Sequence, residues 1–166
     1  MKTVVVTSIF PPETRGPAIY CYELAKRLKN TSVITFTFNP IPIENTKIIS
    51  IPQSGGPAIR QTRLFLSILR SNPDLIYAQG ADVVGLASVI AGKILRKPVV
   101  IKFVGDLSVE MERDFGKKVK YLSFVTKLAL SLASKIIFPA QHLRQAIIAK
   151  YKINPSKTVV IYNAVG

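Results

Sequence analysis

The sequence predicts an α/β fold with a doubly wound, mostly parallel, Rossmann-like sheet, and three features of the pattern support this. Short runs rich in Val, Ile and Phe alternate with stretches of helical periodicity along the chain. The strand-like runs are continuously apolar, as expected where both faces of a parallel sheet are covered. The alternation itself is typical of parallel strands joined by right-handed crossovers. A chain of 166 residues suits one domain, which we expect to span residues 1–166.

The predicted strands are runs of β-branched and aromatic residues. The first of them ends where Pro11 and Pro12 fix the backbone. In chain order the seven strands are Lys2–Phe10, Ser32–Phe38, Lys47–Ile51, Asp74–Ala78, Pro98–Val104, Lys135–Phe138 and Thr158–Tyr162.

The predicted helices lie between the strands and have helical periodicity. Pro17 suits a first helical position, and Asp82 is more plausible as an N-cap than as a catalytic residue. In chain order the six helices are Pro17–Lys29, Ile59–Ser71, Asp82–Leu95, Leu107–Phe115, Lys117–Ser134 and Gln141–Lys150.

The net charge and the cysteine content indicate which kind of partner the protein binds and in which compartment it is found. The net charge is +14, from 23 Lys and Arg against 9 Asp and Glu, which predicts an anionic partner such as nucleic acid, a phosphorylated ligand or an anionic membrane surface. Cys21 has no second cysteine to pair with, so a reducing compartment is the default. The longest uncharged apolar stretch, residues 83–92, is too short to span a bilayer. We therefore expect a cytoplasmic protein.

Ligands of such sheets bind where the carboxyl ends of the strands meet, so the loops there are the candidate site. In "FPPETRGP" the two prolines stiffen the approach, Gly16 permits close contact, and Pro17 opens a helix whose N-terminus favours an anion. The alternative is a proline-rich turn without a ligand. The stretch carries one glycine and is no dinucleotide fingerprint, and "QSGGPAIRQT" is no P-loop.

Several stretches together resemble the N-terminal domain of family-4 glycosyltransferases of GT-B fold. "PPETRGPAIYCYELAKRLK" resembles the family's first loop and helix, and "PDLIYAQG" its Pro-Asp strand. "KPVVIKFVGDLSVE" is similar to the next strand in a subset with a Lys-x-x-Gly-Asp turn. The last part, from "ASKIIFPAQH" to "VVIYNAV", is similar to the end of that domain.

The resemblance implies half of a hexosyltransferase-like enzyme. The family's N-terminal half binds the acceptor and forms one wall of the cleft, while a C-terminal domain, which this chain would lack after Gly166, supplies most contacts to a nucleotide-sugar donor. Retention of configuration, independence of metal ions and no cofactor besides the nucleotide sugar as co-substrate are also implied. His142 has no matching cluster of metal ligands. The isolated chain is expected to be inactive.

Three departures from the family pattern concern the site. The usual Gly-Gly of the first loop is Arg15-Gly16, and Val104 and Gln79 stand where many members have histidines. We predict that the substrate or its phosphate is bound by four residues of these loops: Arg15, Gly16, Gln79 and Gly105. Arg15 can equally be a solvent-facing loop residue.

Two carboxylates are candidates for taking the proton of the acceptor hydroxyl. Asp106 follows a predicted strand and can be a general base, an N-cap of the next helix, or both. Glu110 lies one helical turn further and can reach the cleft or point to solvent. Asn163 resembles the family's hinge asparagine, although an ordinary turn residue would look the same.

The predicted helix over residues 117–134 combines a narrow polar stripe with a wide apolar arc. It is either a core helix or a surface that rests on an anionic bilayer through Lys117, Lys118, Lys120 and Lys127. The second hypothesis implies a lipid-linked acceptor and a protein peripheral to the inner membrane face.

Two other classes of function remain alternatives: a non-catalytic Rossmann-like binding or regulatory module, and a basic nucleic-acid-binding domain. The charge suits the second of these. Against it stand the absence of a nucleic-acid-binding motif and an aromatic content of 8% without Trp.

Overall fold

The computed structural model describes residues 1–115 and 120–163. These residues form one sheet of parallel strands with helices packed against it, as the sequence predicts. The strands are β1 (Thr3–Thr7), β2 (Thr31–Thr35), β3 (Lys47–Ser50), β4 (Leu75–Gln79), β5 (Val99–Lys102), β6 (Lys135–Phe138) and β7 (Thr158–Val160). The helices are α1 (Gly16–Arg27), α2 (Gly56–Ser71), α3 (Val83–Leu95), α4 (Leu107–Phe115), α5 (Lys120–Leu132) and α6 (Gln141–Tyr151), and a 3₁₀ turn covers Pro155–Lys157.

The strand order is β3-β2-β1-β4-β5-β6-β7, and every pair is parallel. The chain moves outward from β1 to β3, then returns to the other side of β1 with β4 and continues outward to β7. The loops after β1 and β4 therefore leave in opposite directions and open a crevice between them at the carboxyl edge.

The sheet is packed differently on its two faces. One core cluster joins the strands to residues of α2, α3, α5 and α6, including Leu64, Val89, Leu130 and Tyr151. A smaller cluster on the other face contains Cys21 and Ala25, and in the described part of the chain α1 is the helix that contributes to it. The sheet is thus covered by a large apolar layer on one face and a small one on the other.

Helix α3 approaches the end of β4 very closely. A Cβ on Gly85 would lie 2.5 Å from the backbone oxygen of Gly80, so only glycine allows this packing. Asp82 caps the helix, because its carboxylate accepts a hydrogen bond of 2.8 Å from the backbone N–H of Val84. The N-cap predicted at Asp82 is confirmed.

Some boundaries differ from the predicted ones for local reasons. Helix α2 begins at Gly56 instead of Ile59, directly after the left-handed backbone of Gly55 at φ +92°. Strand β1 ends at Thr7, whose hydroxyl donates to the Ile9 carbonyl in the turn that follows.

In the described residues no helix is both long and apolar enough to cross a membrane.

Candidate substrate-binding cleft

The switch point of the sheet is the place where the loops after β1 and β4 leave in opposite directions. A cleft of about 990 Å³ lies there, between α1 and the carboxyl ends of β4 and β5. One wall is the side of α1 that carries Gly16, Tyr20 and Glu23. The other is formed by Gln79 at the end of β4 and Lys102 at the end of β5. The cleft is therefore where the loops after parallel strands were expected to bind a ligand.

The loop between β1 and α1 is anchored to the end of β2. The Thr37 hydroxyl accepts a hydrogen bond of 2.7 Å from the Phe10 backbone N–H and donates one of 2.7 Å to the Glu13 carboxylate. Phe10 is buried, and the Ile41 backbone N–H donates to the Pro11 carbonyl at 2.8 Å. The stiff "FPPETRG" loop is thus held in the core at its start, which positions the beginning of α1 beside the cleft.

Gly16 faces open space at the start of α1. A Cβ at this position would meet no atom within 4 Å, and Gly16 itself lines the cleft. Arg15 precedes it as the N-cap residue without a side-chain cap bond, and it is exposed. Gly16 is therefore placed where the sequence predicts a substrate contact, whereas the Arg15 side chain is not part of the cleft lining.

The sheet register aligns a row of three polar side chains at the carboxyl edge, and two of them, Gln79 and Lys102, line the cleft. Thr7 of β1 pairs with Gln79 of β4, and Gln79 pairs with Lys102 of β5. All three are buried, with Gln79 4% exposed and Lys102 1% exposed. The Tyr77 hydroxyl donates to the Gln79 side-chain oxygen at 3.3 Å, which orients that amide. Because register partners share a face, the row forms a polar level at the carboxyl end of the face that carries Val5, Tyr77 and Val100.

Lys102 is the charged residue of this row, and the sequence did not lead us to predict a role for it. Its ammonium donates to the Ile161 carbonyl at 3.1 Å and lies 4.9 Å from the centre of the Tyr20 ring. No carboxylate in the described residues pairs with it, and burial lowers the pKa of Lys102 below its ordinary value. The signal was present, because Lys102 is a charged residue that closes the apolar run "PVVIK".

Within the cleft lining the carboxylate of Glu23 is neutralised locally. It pairs with Arg27 at 2.6 Å and with Lys26 at 3.6 Å, all on α1. Lys102 therefore contributes a positive charge to the cleft that this carboxylate does not cancel.

Asp106 lies away from the cleft lining. Its Oδ2 atom accepts hydrogen bonds from the Tyr151 hydroxyl at 2.6 Å and from the Lys150 ammonium at 2.7 Å. Burial acts to lower the pKa of Lys150, but its hydrogen bonds and charge interactions with Asp106 and Tyr151 outweigh this, and the pKa is raised. The Asp106 backbone carbonyl also accepts from Val109 and Glu110 at the start of α4. The residue thus joins α4 to α6, and its predicted catalytic role stays a prediction.

Glu110 is exposed on α4, with its carboxylate directly over Gly105. Burial raises the pKa of Asp82, and the negative charge of Glu110 adds to that rise, while hydrogen bonds from the Val84 and Gly85 backbone oppose it. The structure therefore brings Glu110 next to Gly105 and within electrostatic reach of Asp82. Neither Glu110 nor Gly105 is among the residues that line the cleft.

The remaining predicted residues fall in three places. Asn163 lines the cleft, and its predicted role as a hinge residue stays a prediction. Lys120 and Lys127 are exposed on α5, and Lys117 and Lys118 lie outside the described residues. Among the residues that the structure describes, no group of three or more His, Cys, Asp and Glu side chains is placed to hold a metal ion.

The fold and the cleft define a parallel α/β domain with a cleft at the topological switch point. The model of the family Glycosyltransferase Family 4 matches residues 14–166. The chain therefore belongs to this glycosyltransferase family.

Solved structures with the same fold are larger proteins. The chain is similar to Alr3699/HepE of Anabaena in complex with UDP, with a TM-score of 0.71 and 22% sequence identity, over 99% of this chain and 44% of that one. It is also similar to the UDP-GlcNAc 2-epimerases of Neisseria meningitidis (TM-score 0.63, 15% identity, 96% and 45% covered) and Methanocaldococcus jannaschii (0.61, 16%, 97% and 45%). The chain thus spans less than half the length of these proteins. No curated protein is significantly similar in sequence.

Proposed function

We propose that this chain is the acceptor-side half of a glycosyltransferase that uses a nucleotide sugar. The observation that carries the proposal is the cleft at the switch point, lined by Gly16, Gln79 and Lys102, in a chain that belongs to Glycosyltransferase Family 4. In this proposal a C-terminal domain forms the opposite wall and supplies most donor contacts, and the cleft described here holds the acceptor.

The proposed donor is a UDP-sugar. Its support is that Alr3699/HepE has been solved with UDP and with UDP-glucose, and the epimerase of Neisseria meningitidis with UDP-GlcNAc. We further propose retention of configuration, no metal ion and no cofactor besides the donor, in line with the family resemblance.

The residues of this chain would bind and orient the substrate. The first loop is anchored by Thr37 and presents Gly16 without a side chain, so a sugar or phosphate can approach the backbone closely. Gln79 offers an amide oriented by Tyr77. Such preorganised contacts help to fix the acceptor for attack on the donor.

The proposed acceptor is lipid-linked and is met at a membrane surface. Support comes from the exposed side of α5, where Tyr121 and Phe124 are 63% and 62% exposed between the exposed Lys120 and Lys127. Exposed aromatic rings flanked by lysines suit the interface of an anionic bilayer. The burial of Val125 and Leu130 shows that α5 also serves as a core helix.

The test is a transfer assay with and without a second domain. The purified 166-residue chain should turn over no UDP-glucose alone, because one wall of the cleft provides too few donor contacts. The same chain joined to a C-terminal domain of the family should release UDP when an acceptor is present. Turnover by the isolated chain would contradict the division of roles, and a joined protein inactive on every UDP-sugar would contradict the proposed function.

A further inference from the structure

We propose that Lys102 is the cationic centre of a phosphoryl-binding subsite in the cleft, with Gln79 beside it in register. The phosphoryl group belongs either to the donor diphosphate or to a phosphorylated acceptor. The proposal deepens the proposed function and rests on it for the source of the phosphoryl group. The binding itself can be tested separately.

The first argument is the cost of placing a charge at this point. Lys102 is 1% exposed, and in the described residues it has no carboxylate partner. Burying a lysine without a counter-charge is unfavourable, so such a residue at the end of a strand needs a compensating role. Val100, two residues earlier on the same face of the strand, is apolar, so the charge of Lys102 interrupts an apolar pattern.

The second argument is that the described residues around the Lys102 ammonium stabilise its charge but leave some of its hydrogen-bond donors without an acceptor. The Ile161 carbonyl takes one ammonium hydrogen, and the Tyr20 ring lies at cation–π distance. A lysine ammonium has three donors, so donors remain for a ligand. Because Lys102 lines the cleft with Gln79, a ligand there meets a cation and an amide together.

The third argument is that the cleft has room for a ligand and that its carboxylate does not neutralise Lys102. Gly16 leaves the opposite wall open, and the one carboxylate that lines the cleft in the described residues, Glu23, is held by Arg27 and Lys26. The cleft therefore attracts an anion through Lys102, and a phosphoryl group supplies several oxygens for a charge-assisted hydrogen bond of this kind.

The test compares Lys102→Met with Lys135→Met. Lys135 is a matched control, because its ammonium also donates to a backbone carbonyl, that of Ser156 at 3.0 Å, but it is exposed and starts β6. Pyrophosphate binding to the 166-residue protein is measured by calorimetry at low salt. We expect Lys102→Met to weaken it at least about tenfold, since a charged hydrogen bond is lost, and Lys135→Met to leave it unchanged.

Three further ligands identify the source of the phosphoryl group. Uridine should bind equally to wild type and Lys102→Met. If the variant loses more affinity for UDP than for glucose 1-phosphate, the subsite serves the donor; if the loss is larger for glucose 1-phosphate, the subsite serves a phosphorylated acceptor. Unchanged pyrophosphate affinity, or an equal loss for uridine, would overturn the proposal.

A measurement on the wild type covers the case in which Lys102→Met does not fold. Pyrophosphate should shift the ¹³Cε–Hε signal of Lys102 in lysine-labelled protein, with no comparable shift at Lys135. A Lys102 signal that saturating pyrophosphate leaves in place overturns the proposal. A Lys102-dependent phosphate site in a protein without transferase activity would leave this inference standing while the proposed function fails.

Discussion

The hydroxyl of Tyr151, the last residue of α6, donates a hydrogen bond of 2.6 Å to Oδ2 of Asp106, which lies 45 residues earlier at the start of α4. Both residues are buried, and Lys150 adds an ion pair to the same oxygen. The carboxylate thus ties two helices together.

This contact predicts a measurable loss of stability in Tyr151→Phe. Removing the hydroxyl takes one donor from a buried carboxylate, which should lower the free energy of unfolding by about 1–3 kcal/mol. Urea titration measures the change. Tyr121→Phe is the control, because that ring is 63% exposed and should change stability by less than about 0.5 kcal/mol. Equal stability of both variants would show that the contact contributes nothing.

The catalytic prediction for Asp106 leads to a second variant. Asp106→Asn, in the chain joined to a C-terminal domain of the family, should reduce the transfer rate by about two decades or more if Asp106 is the base. A rate that stays near wild type, together with a stability loss like that of Tyr151→Phe, would assign Asp106 a purely structural role.

The close approach of α3 to β4 predicts opposite outcomes at two glycines. Gly85→Ala would place a Cβ 2.5 Å from the Gly80 oxygen, so it should destabilise the fold by about 1–3 kcal/mol. Gly16→Ala meets no atom within 4 Å and should leave stability nearly unchanged. Thermal unfolding distinguishes the two. A Gly85→Ala variant as stable as Gly16→Ala would contradict the packing described here.

Asp82 predicts a pH dependence of stability. Burial, with the charge of Glu110, raises the pKa of Asp82 above its ordinary 3.8. A carboxyl with a raised pKa stabilises the fold below its unfolded pKa, and that contribution is lost as the pH rises through the folded value. Asp82→Asn keeps the N-cap without titrating, so its stability relative to wild type should increase from pH 4 upward and then level off.

Denaturation curves of both proteins from pH 4 to 8 measure this difference. Glu110→Gln should move the transition to lower pH, because it removes a charge that raises the pKa of Asp82. Parallel stability curves for wild type and Asp82→Asn would mean that Asp82 titrates normally.

The thiol of Cys21 should react only slowly with thiol reagents in the folded protein. Its side chain is buried, and burial raises the pKa of the Cys21 thiol to about 12, which a hydrogen bond with Thr7 offsets only in part. A disulfide reagent at pH 8 should therefore label the protein slowly in buffer and rapidly in urea. Since the chain has one cysteine, the reaction reports this site alone. Rapid labelling of the native protein would disprove the burial.

The membrane proposal predicts salt-sensitive binding to anionic vesicles. Each lysine near such a surface contributes about 1 kcal/mol, so Lys120→Ser with Lys127→Ser should weaken binding about 30-fold. The double variant Lys29→Ser with Lys47→Ser removes the same charge from exposed positions outside α5 and should bind like wild type. Vesicle sedimentation measures both, and equal partition onto neutral and anionic vesicles would exclude the proposal.

The sequence predicted the layers of this fold because continuous apolar runs and helical spacing are local signals. The sequence did not predict the order of the strands in the sheet, so the pairing of Gln79 with Lys102 could not be predicted either. The same limit applies to Asp106, whose position after a strand suggested a cleft carboxylate. Its contacts with Lys150 and Tyr151 depend on where α6 packs in space, which the sequence does not show. Lys102 was the missed exception, since a lysine inside a buried strand is visible in the sequence.

The polar row at the carboxyl edge also separates two kinds of evolutionary change. Thr7, Gln79 and Lys102 occupy one register level, while Val5, Tyr77 and Val100 occupy the level two residues earlier on the same face. Of these three residues, Gln79 and Lys102 line the cleft, so a substitution at either one changes the cleft surface without altering the apolar residues beneath it. The lining of the cleft and the packing of the sheet can therefore change independently of each other.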